Sequence, residues 1–165
     1  MQDQAQYIST GDVATDIVAT LFAPGELGKE IEIAGVLYRR VKVAAGITVA
    51  AGQTAMWSAA QKLLETVTNV TNAVDGTCAG VFLGAPTAAY YCWIARKGDV
   101  DALFLDTPTV APDAAGKAVI VNTATTAGRF DCVTTAAMSN QVGRTLGAQD
   151  GTSKLAKIRL AIPGV

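Results

Sequence analysis

The stretch TAAYYCWIARKGDV, residues 87–100, is the most aromatic segment of the sequence. Alternate side chains of an extended strand point to opposite faces. One face would carry Tyr90, Cys92, Ile94 and Arg96, and the other Ala89, Tyr91, Trp93, Ala95 and Lys97. Both sets are apolar in the middle, so each face needs cover from a second layer of this chain or from another chain. We interpret the stretch as a core strand covered on both faces, with Tyr90 or Tyr91 its most exposed aromatic side chain.

The segments that follow predict two antiparallel hairpins. GRTLGA (143–148) and KIRLAI (157–162) flank AQDGTSK, where Asp150-Gly151 is expected to supply the positive φ of a turn. KAVIVN (117–122) and GRFDCVT (128–134) form the second pair, with Phe130 and Cys132 facing in and Arg129 and Asp131 facing out. LDTPTVAPDAAG (105–116), which precedes this second pair, contains two prolines and is expected to be an exposed connection.

Earlier segments add further strands. EIEIAGVLYRRVKV (30–43) gives two alternating runs with a turn or bulge at Gly35, and AAQKLLETVTNV (59–70) predicts a short helical or irregular turn followed by a strand. In KGDVDALF (97–104), Lys97-Gly98-Asp99 is expected to turn, with Asp99 and Asp101 on a solvated face. Seven to ten short strands predict an all-β, mainly antiparallel fold: a small β-barrel or β-sandwich with at most one short helix.

The length of 165 residues fits a single domain. The first dozen residues are polar and lack periodicity, so we expect a flexible N-terminal arm at residues 1–12 and one β-rich domain at residues 13–165. The N-terminus lacks the features of a signal peptide, and the longest uncharged stretch is interrupted by glycine and polar residues. We therefore expect no association with a membrane.

Composition argues against most kinds of chemistry. The net charge is −1 without a basic run, which argues against nucleic acid as a partner. There is no histidine, and PGELGKE (24–30) departs from a phosphate-binding loop at two positions, so we predict no catalytic, cofactor-binding or metal-binding residues. The three cysteines are widely spaced and are interpreted as buried, reduced side chains.

Several segments together resemble one family. They are LYRRVKVAAGITVAAGQTAMW (37–57), AGVFLG (79–84), YYCWIARKGDVDAL (90–103), AAGKAVIVN (114–122) and VGRTLGAQDGTSKLAKIRLAI (142–162). This order of a glycine-rich strand, an aromatic strand and a closing strand pair is similar to the capsid decoration, or cement, proteins of tailed bacteriophages. The similarity spans roughly Gly28 to Ile162.

The resemblance implies a β-tulip-like barrel that binds the outside of the assembled phage capsid, commonly as a homotrimer, and stabilises it. The expected partners are the major capsid protein and further copies of the chain, without a small-molecule substrate. The expected location is the virion surface, after synthesis in the cytoplasm of the host bacterium. Contacts with other subunits are expected at Gln4, Tyr7, Tyr38, Tyr91 and Trp93.

Two further functions stay open at this stage. One is another small virion component, such as a neck, tail or head-fibre protein. The other is a lipocalin-like carrier, since small barrels can enclose one ligand. An enzyme acting through acidic residues alone would need two facing carboxylates, which a sequence cannot position.

Overall fold

The computed structural model describes residues 27–58, 65–69, 78–122, 126–134 and 141–162. Within these residues all regular structure is β-strand and there is no helix. The strands are β1 (Glu30–Ile33), β2 (Val36–Val43), β3 (Thr54–Trp57), β4 (Thr66–Thr68), β5 (Cys78–Phe82), β6 (Tyr91–Leu103), β7 (Ala118–Val121), β8 (Phe130–Val133), β9 (Gln141–Thr145) and β10 (Leu155–Ala161). The all-β prediction is confirmed.

Part of the sheet closes into a barrel. The strand order is β1-β2-β4-β3-β5-β6-β10-β9-β7-β8, and β2 also pairs with β6. This extra pairing closes the five strands β2, β4, β3, β5 and β6 on themselves. The pair β2–β4 is parallel and the other strand pairs are antiparallel, as expected for a mainly antiparallel fold.

Strand β6 belongs both to the barrel and to the sheet beyond it. Its 13 residues include the aromatic stretch and continue well past it. β2 pairs with β6 along Tyr91–Lys97, and β10 pairs with β6 along Lys97–Leu103. The barrel is thereby joined to the extension formed by β10, β9, β7 and β8.

The predicted turn at Lys97-Gly98-Asp99 is wrong, because β6 runs through these residues without interruption. Gly98 has a φ of +106°, a conformation that glycine adopts readily. A Cβ atom at Gly98 would lie 2.6 Å from the carbonyl oxygen of Gly35, so the strand also passes close to the β1–β2 turn. The local turn signal therefore marks an irregularity inside a long strand.

Two hydrophobic cores lie on opposite faces of the barrel part of β6. The barrel interior is filled by Val41, Val43, Val49, Ala55, Trp57, Val67, Ala79, Phe82, Cys92 and Ile94. The second core combines the opposite faces of the barrel strands, including Tyr38, Met56 and Trp93, with residues of β7 to β10 such as Phe130 and Ile158. The prediction that the aromatic strand is covered on both faces is confirmed, and Tyr90 and Tyr91 are its half-exposed aromatic residues.

The predicted hairpins are present. β1 and β2 are joined by the two-residue turn Ala34-Gly35, and β7 pairs with β8 in the register Val121↔Phe130. β9 pairs with β10, but the positive φ in their connection occurs at Lys154 and is absent from Asp150-Gly151. The Asp150 carboxylate organises this loop instead, accepting hydrogen bonds from the backbone N–H groups of Thr152 and Ser153.

The predicted outward position of Asp131 is wrong. The residue is only 8% exposed because the connection after β6 folds over β8. Asp131 accepts hydrogen bonds from the Thr109 backbone N–H at 2.7 Å and from the Thr109 hydroxyl at 2.6 Å. Pro112 in the same connection is buried, so this segment is not exposed throughout as the sequence suggested.

Three predictions fall outside the described residues. They are the N-terminal arm at residues 1–12, its boundary with the domain that begins at residue 13, and the short helical turn before β4. The strand expected after that turn is β4.

Candidate interaction surface

On the outer face of the barrel, two cationic side chains of β2 face two aromatic side chains of β6. The strand register places Arg40 opposite Trp93 and Lys42 opposite Tyr91. The Arg40 guanidinium lies 5.6 Å from the Trp93 ring centroid and 5.8 Å from that of Tyr91, and Lys42 Nζ lies 5.9 Å from the Tyr91 centroid. We call Arg40, Lys42, Tyr91 and Trp93 the cation–aromatic ladder.

The ladder is buried at one end and partly exposed at the other. Arg40 is 1% and Trp93 2% exposed, whereas Lys42 and Tyr91 are half-buried. Such contacts contribute about 0.5–1 kcal/mol at exposed sites and about 2 kcal/mol when desolvated. The Arg40 contacts therefore stabilise the pairing of β2 with β6, while Lys42 and Tyr91 at the other end keep side-chain surface that is accessible to another molecule.

Three of the residues expected at subunit contacts come together on this face. Tyr38 precedes Arg40 and Lys42 on the same side of β2, and Trp93 and Tyr91 face the same side of β6. Tyr38 and Trp93 are packed in the second core, and burial raises the pKa of the Tyr38 phenol. Tyr91 alone of the three has accessible surface to offer, and its contact with another chain stays a prediction. Gln4 and Tyr7 lie outside the described residues.

A chain of ion pairs lies beside the barrel interior. Arg39 Nε and Nη2 donate to the two carboxylate oxygens of Glu65 at 2.9 and 2.6 Å, and Arg39 Nη1 donates to Glu30 Oε1 at 3.1 Å. Arg96 Nη1 donates to the same Glu30 oxygen at 2.6 Å. The Arg39 guanidinium also lies 5.5 Å from the ring centroid of Trp57, which belongs to the interior core.

The ion-pair chain is electrically balanced and has a structural character. Burial alone raises the pKa of Glu30, but hydrogen bonds and charge from Arg96 and Arg39 outweigh it and leave that pKa lowered. The pKa of Arg39 is raised by its hydrogen bonds to the Glu65 carboxylate, which outweigh the lowering effect of burial. A general acid at neutral pH needs a raised carboxyl pKa, so Glu30 is shifted in the opposite direction.

An open cleft of about 440 Å³ lies where the β1–β2 turn and the end of β10 meet the middle of β6. Its charged lining consists of Lys97, Asp99 and Arg159, and Asp99 accepts hydrogen bonds from Arg159 Nε at 2.8 Å and Nη2 at 3.0 Å. Asp99 and Asp101 are exposed, so their predicted solvated position is confirmed. Among the described residues, no group of three or more His, Cys, Asp or Glu side chains is placed to hold a metal ion.

The three cysteines are buried, as predicted, and no disulfide bond joins any two of them. Burial raises the pKa of the Cys78 thiol to about 12. A thiol in that state has almost no thiolate at neutral pH and is a poor nucleophile. Its role is that of a small core residue.

Arg40 and Asp131 are the structurally important polar residues that sequence reasoning missed. The register of β2 against the aromatic strand would have been needed to place Arg40 over two rings. Asp131 follows the alternation that normally marks an outward residue, and only the long-range fold of the preceding connection buries it.

Comparisons add no relative to these observations: no known family model and no curated protein matches the chain. In the parts of the chain that the structure describes, no helix has the length and apolar character needed to cross a membrane.

Proposed function

We propose that this protein is a structural virion component that binds the outer surface of an assembled phage capsid and stabilises it. The proposed role is mechanical and involves no substrate, with the major capsid protein and further copies of this chain as partners. The proposal rests on the resemblance described above. On this proposal the protein is made in the bacterial cytoplasm and is then located at the virion surface.

The single observation in the fold that supports the proposal is that the resembling segments form neighbouring strands. AGVFLG contains most of β5, the aromatic segment contains β6, and the two later segments contain β7 and most of β9 with all of β10. These strands are connected in the sheet as β5-β6-β10-β9-β7, so the resemblance follows one contiguous part of the fold.

The packed barrel weighs against the carrier alternative. A lipocalin-like protein needs an enclosed cavity, whereas Trp57, Phe82 and Ile94 occupy the interior of this five-strand barrel and are at most 3% exposed. A neck, tail or head-fibre protein would occupy a different part of the particle from a protein bound to the capsid surface. Labelling of intact particles, which distinguishes head from tail, separates these two roles.

The first test is the solution mass, followed by co-sedimentation with expanded and unexpanded heads assembled from the major capsid protein of the same source. We expect the solution mass to be that of a trimer of the 16.9-kDa chain or that of a monomer. In both cases the protein should pellet stoichiometrically with expanded heads and raise their melting temperature. A monomer that ignores both kinds of head would overturn the proposal.

Matched variants locate the contact. Tyr91→Ala removes the half-exposed aromatic of the ladder, and Asp101→Ala alters a solvated residue of the same strand. We expect Tyr91→Ala to weaken capsid binding by roughly tenfold or more, as for an aromatic interface anchor, and Asp101→Ala to leave it unchanged. Equal binding by both variants, with both folded by their melting curves, would exclude Tyr91 from the contact.

A further inference from the structure

The two terminal strands of the sheet, β1 and β8, differ in how their outer edges are covered. The connection after β6 covers β8: Leu105 N–H donates to the Phe130 carbonyl at 3.0 Å, and Val110 N–H donates to the Cys132 carbonyl at 2.9 Å. Within the described residues, β1 has a strand neighbour on one side only, which is β2. An uncovered strand edge is a template for pairing with another chain.

The register shows which backbone groups of β1 face outward. The Ala34-Gly35 turn has positive φ at both residues, +51° and +79°, as in the tight turns that close a hydrogen-bonded pair, here Ile33 and Val36. Hydrogen-bonded pairs alternate along an antiparallel ladder, so Ile31 bonds to β2 while Glu30 and Glu32 direct their N–H and C=O groups away from it. The bond from Arg40 N–H to the Lys29 carbonyl, at 2.9 Å, continues this alternation.

The side chains beside this edge define two chemically different faces. Ile31 and Ile33 are half-buried and pack at the rim of the second core. Glu30 and Glu32 are on the opposite face, where Glu30 is neutralised by Arg39 and Arg96. Glu32 is exposed and forms no ion pair with another described residue, so it is the uncompensated charge on that face.

We propose that the outer edge of β1 accepts an extended segment of another protein in which apolar and basic residues alternate. The backbone of Glu30 and Glu32 would provide the hydrogen bonds, the isoleucines would pack against the apolar residues of the segment, and Glu32 would pair with a basic residue. Opposite charges placed directly across a sheet stabilise the pairing, and like charges destabilise it.

The same charge pattern disfavours this chain as its own partner. Two copies of β1 paired edge to edge in antiparallel fashion would bring glutamates at positions 30 and 32 against one another. Residues 1–26 contain four acidic residues and neither lysine nor arginine, so they offer nothing that complements Glu32. The inference does not depend on the proposed capsid role.

The test uses the full chain labelled with ¹⁵N and the capped pentapeptide acetyl-Val-Lys-Val-Lys-Val-amide. In the peptide-free protein we expect rapid hydrogen exchange at the Glu30 and Glu32 amides and slow exchange at Ile31 and Ile33. Addition of the peptide should shift the β1 amide resonances with millimolar affinity and slow exchange at Glu30 and Glu32. A peptide methylated on alternate backbone nitrogens, which cannot donate these bonds, should produce no such shifts.

Charge reversal provides the matched control. Glu32→Lys should weaken binding of the lysine peptide roughly two- to fivefold and favour acetyl-Val-Glu-Val-Glu-Val-amide instead. The inference is overturned if β1 resonances do not respond, if the methylated peptide binds equally well, or if Glu32→Lys changes neither preference. Protection of the Glu30 and Glu32 amides without peptide would also overturn it, by showing that residues of this chain or a second copy already cover the edge.

Discussion

Substituting Gly98 with alanine tests whether β6 must pass close to the β1–β2 turn. Gly98 combines a φ of +106° with a Cβ position 2.6 Å from the Gly35 carbonyl oxygen. The backbone conformation costs a residue with a side chain about 1–3 kcal/mol, and forcing an extra methyl group into packed structure costs about 1–3 kcal/mol more. We therefore expect Gly98→Ala to lower the free energy of unfolding by about 2–6 kcal/mol, a large share of the stability of a typical domain.

Three other glycines separate the two contributions. Gly116 has a φ of +92° with nothing within 4 Å of its Cβ position, so Gly116→Ala should lose only the backbone contribution. Gly143 lacks a positive φ but has the Arg159 carbonyl oxygen 2.5 Å from its Cβ position, so Gly143→Ala should lose only the packing contribution. Gly147 has neither feature, and Gly147→Ala should change stability by about 0.5 kcal/mol or less.

Urea unfolding of the four alanine variants, with the dependence on denaturant concentration compared between them, measures these differences. The expected order of destabilisation places Gly98→Ala first and Gly147→Ala last. If Gly98→Ala costs no more than Gly116→Ala, the close approach of β6 to the turn is refuted. If Gly143→Ala destabilises the protein no more than Gly147→Ala does, the tight packing of β9 on β10 is refuted.

Three further outcomes are expected. Glu30→Gln should destabilise the protein at pH 7. The difference in unfolding free energy from wild type should shrink as the pH falls through the lowered folded-state pKa of Glu30, because the unfolded chain binds the proton more readily. A pH-independent difference in urea unfolding would contradict this expectation. Asp131→Ala should cost about 2–3 kcal/mol by leaving the Thr109 donors without an acceptor, and Asp131→Asn should cost less; equal costs would contradict the hydrogen-bonding role. The three thiols should fail to react with Ellman's reagent at pH 8 in the folded protein and all react in denaturant, and rapid reaction of folded Cys78 would contradict its burial.

Alternation along the sequence was sufficient to identify most strands and the faces of the aromatic one. Period-two patterns in 30–43 and 157–162 correspond to β1, β2 and β10, and the aromatic stretch is covered on both faces. These features depend on local sequence, because the alternation of apolar residues within each strand shows which of its faces is buried. The pairing of β2 with both β4 and β6, which closes the barrel, depends on residues far apart and has no local signature.

The errors have a common cause in contacts between distant segments. Lys97-Gly98-Asp99 has the composition of a turn, but β2 and β10 each pair with this part of β6 and keep it extended. Asp131 alternates as an outward residue, but the Thr109 connection supplies donors that make its burial favourable. At the ladder, the sequence singled out Tyr91 and Trp93, whereas the contact of Arg40 with both rings depends on the register of β2 against β6, two strands about fifty residues apart.

The shared strand β6 has a consequence for how the protein holds together under stress. In the barrel part of β6, Cys92 and Ile94 belong to the interior core and Trp93 and Ala95 to the second core, which continues into the extension along Val100 and Ala102. Separating the barrel from the extension would therefore expose the second core. Neither half can therefore behave as an independent folding unit, and the two should melt in one cooperative transition with the β6 amides exchanging last. A load applied to either half is transmitted to the other through a single continuous backbone.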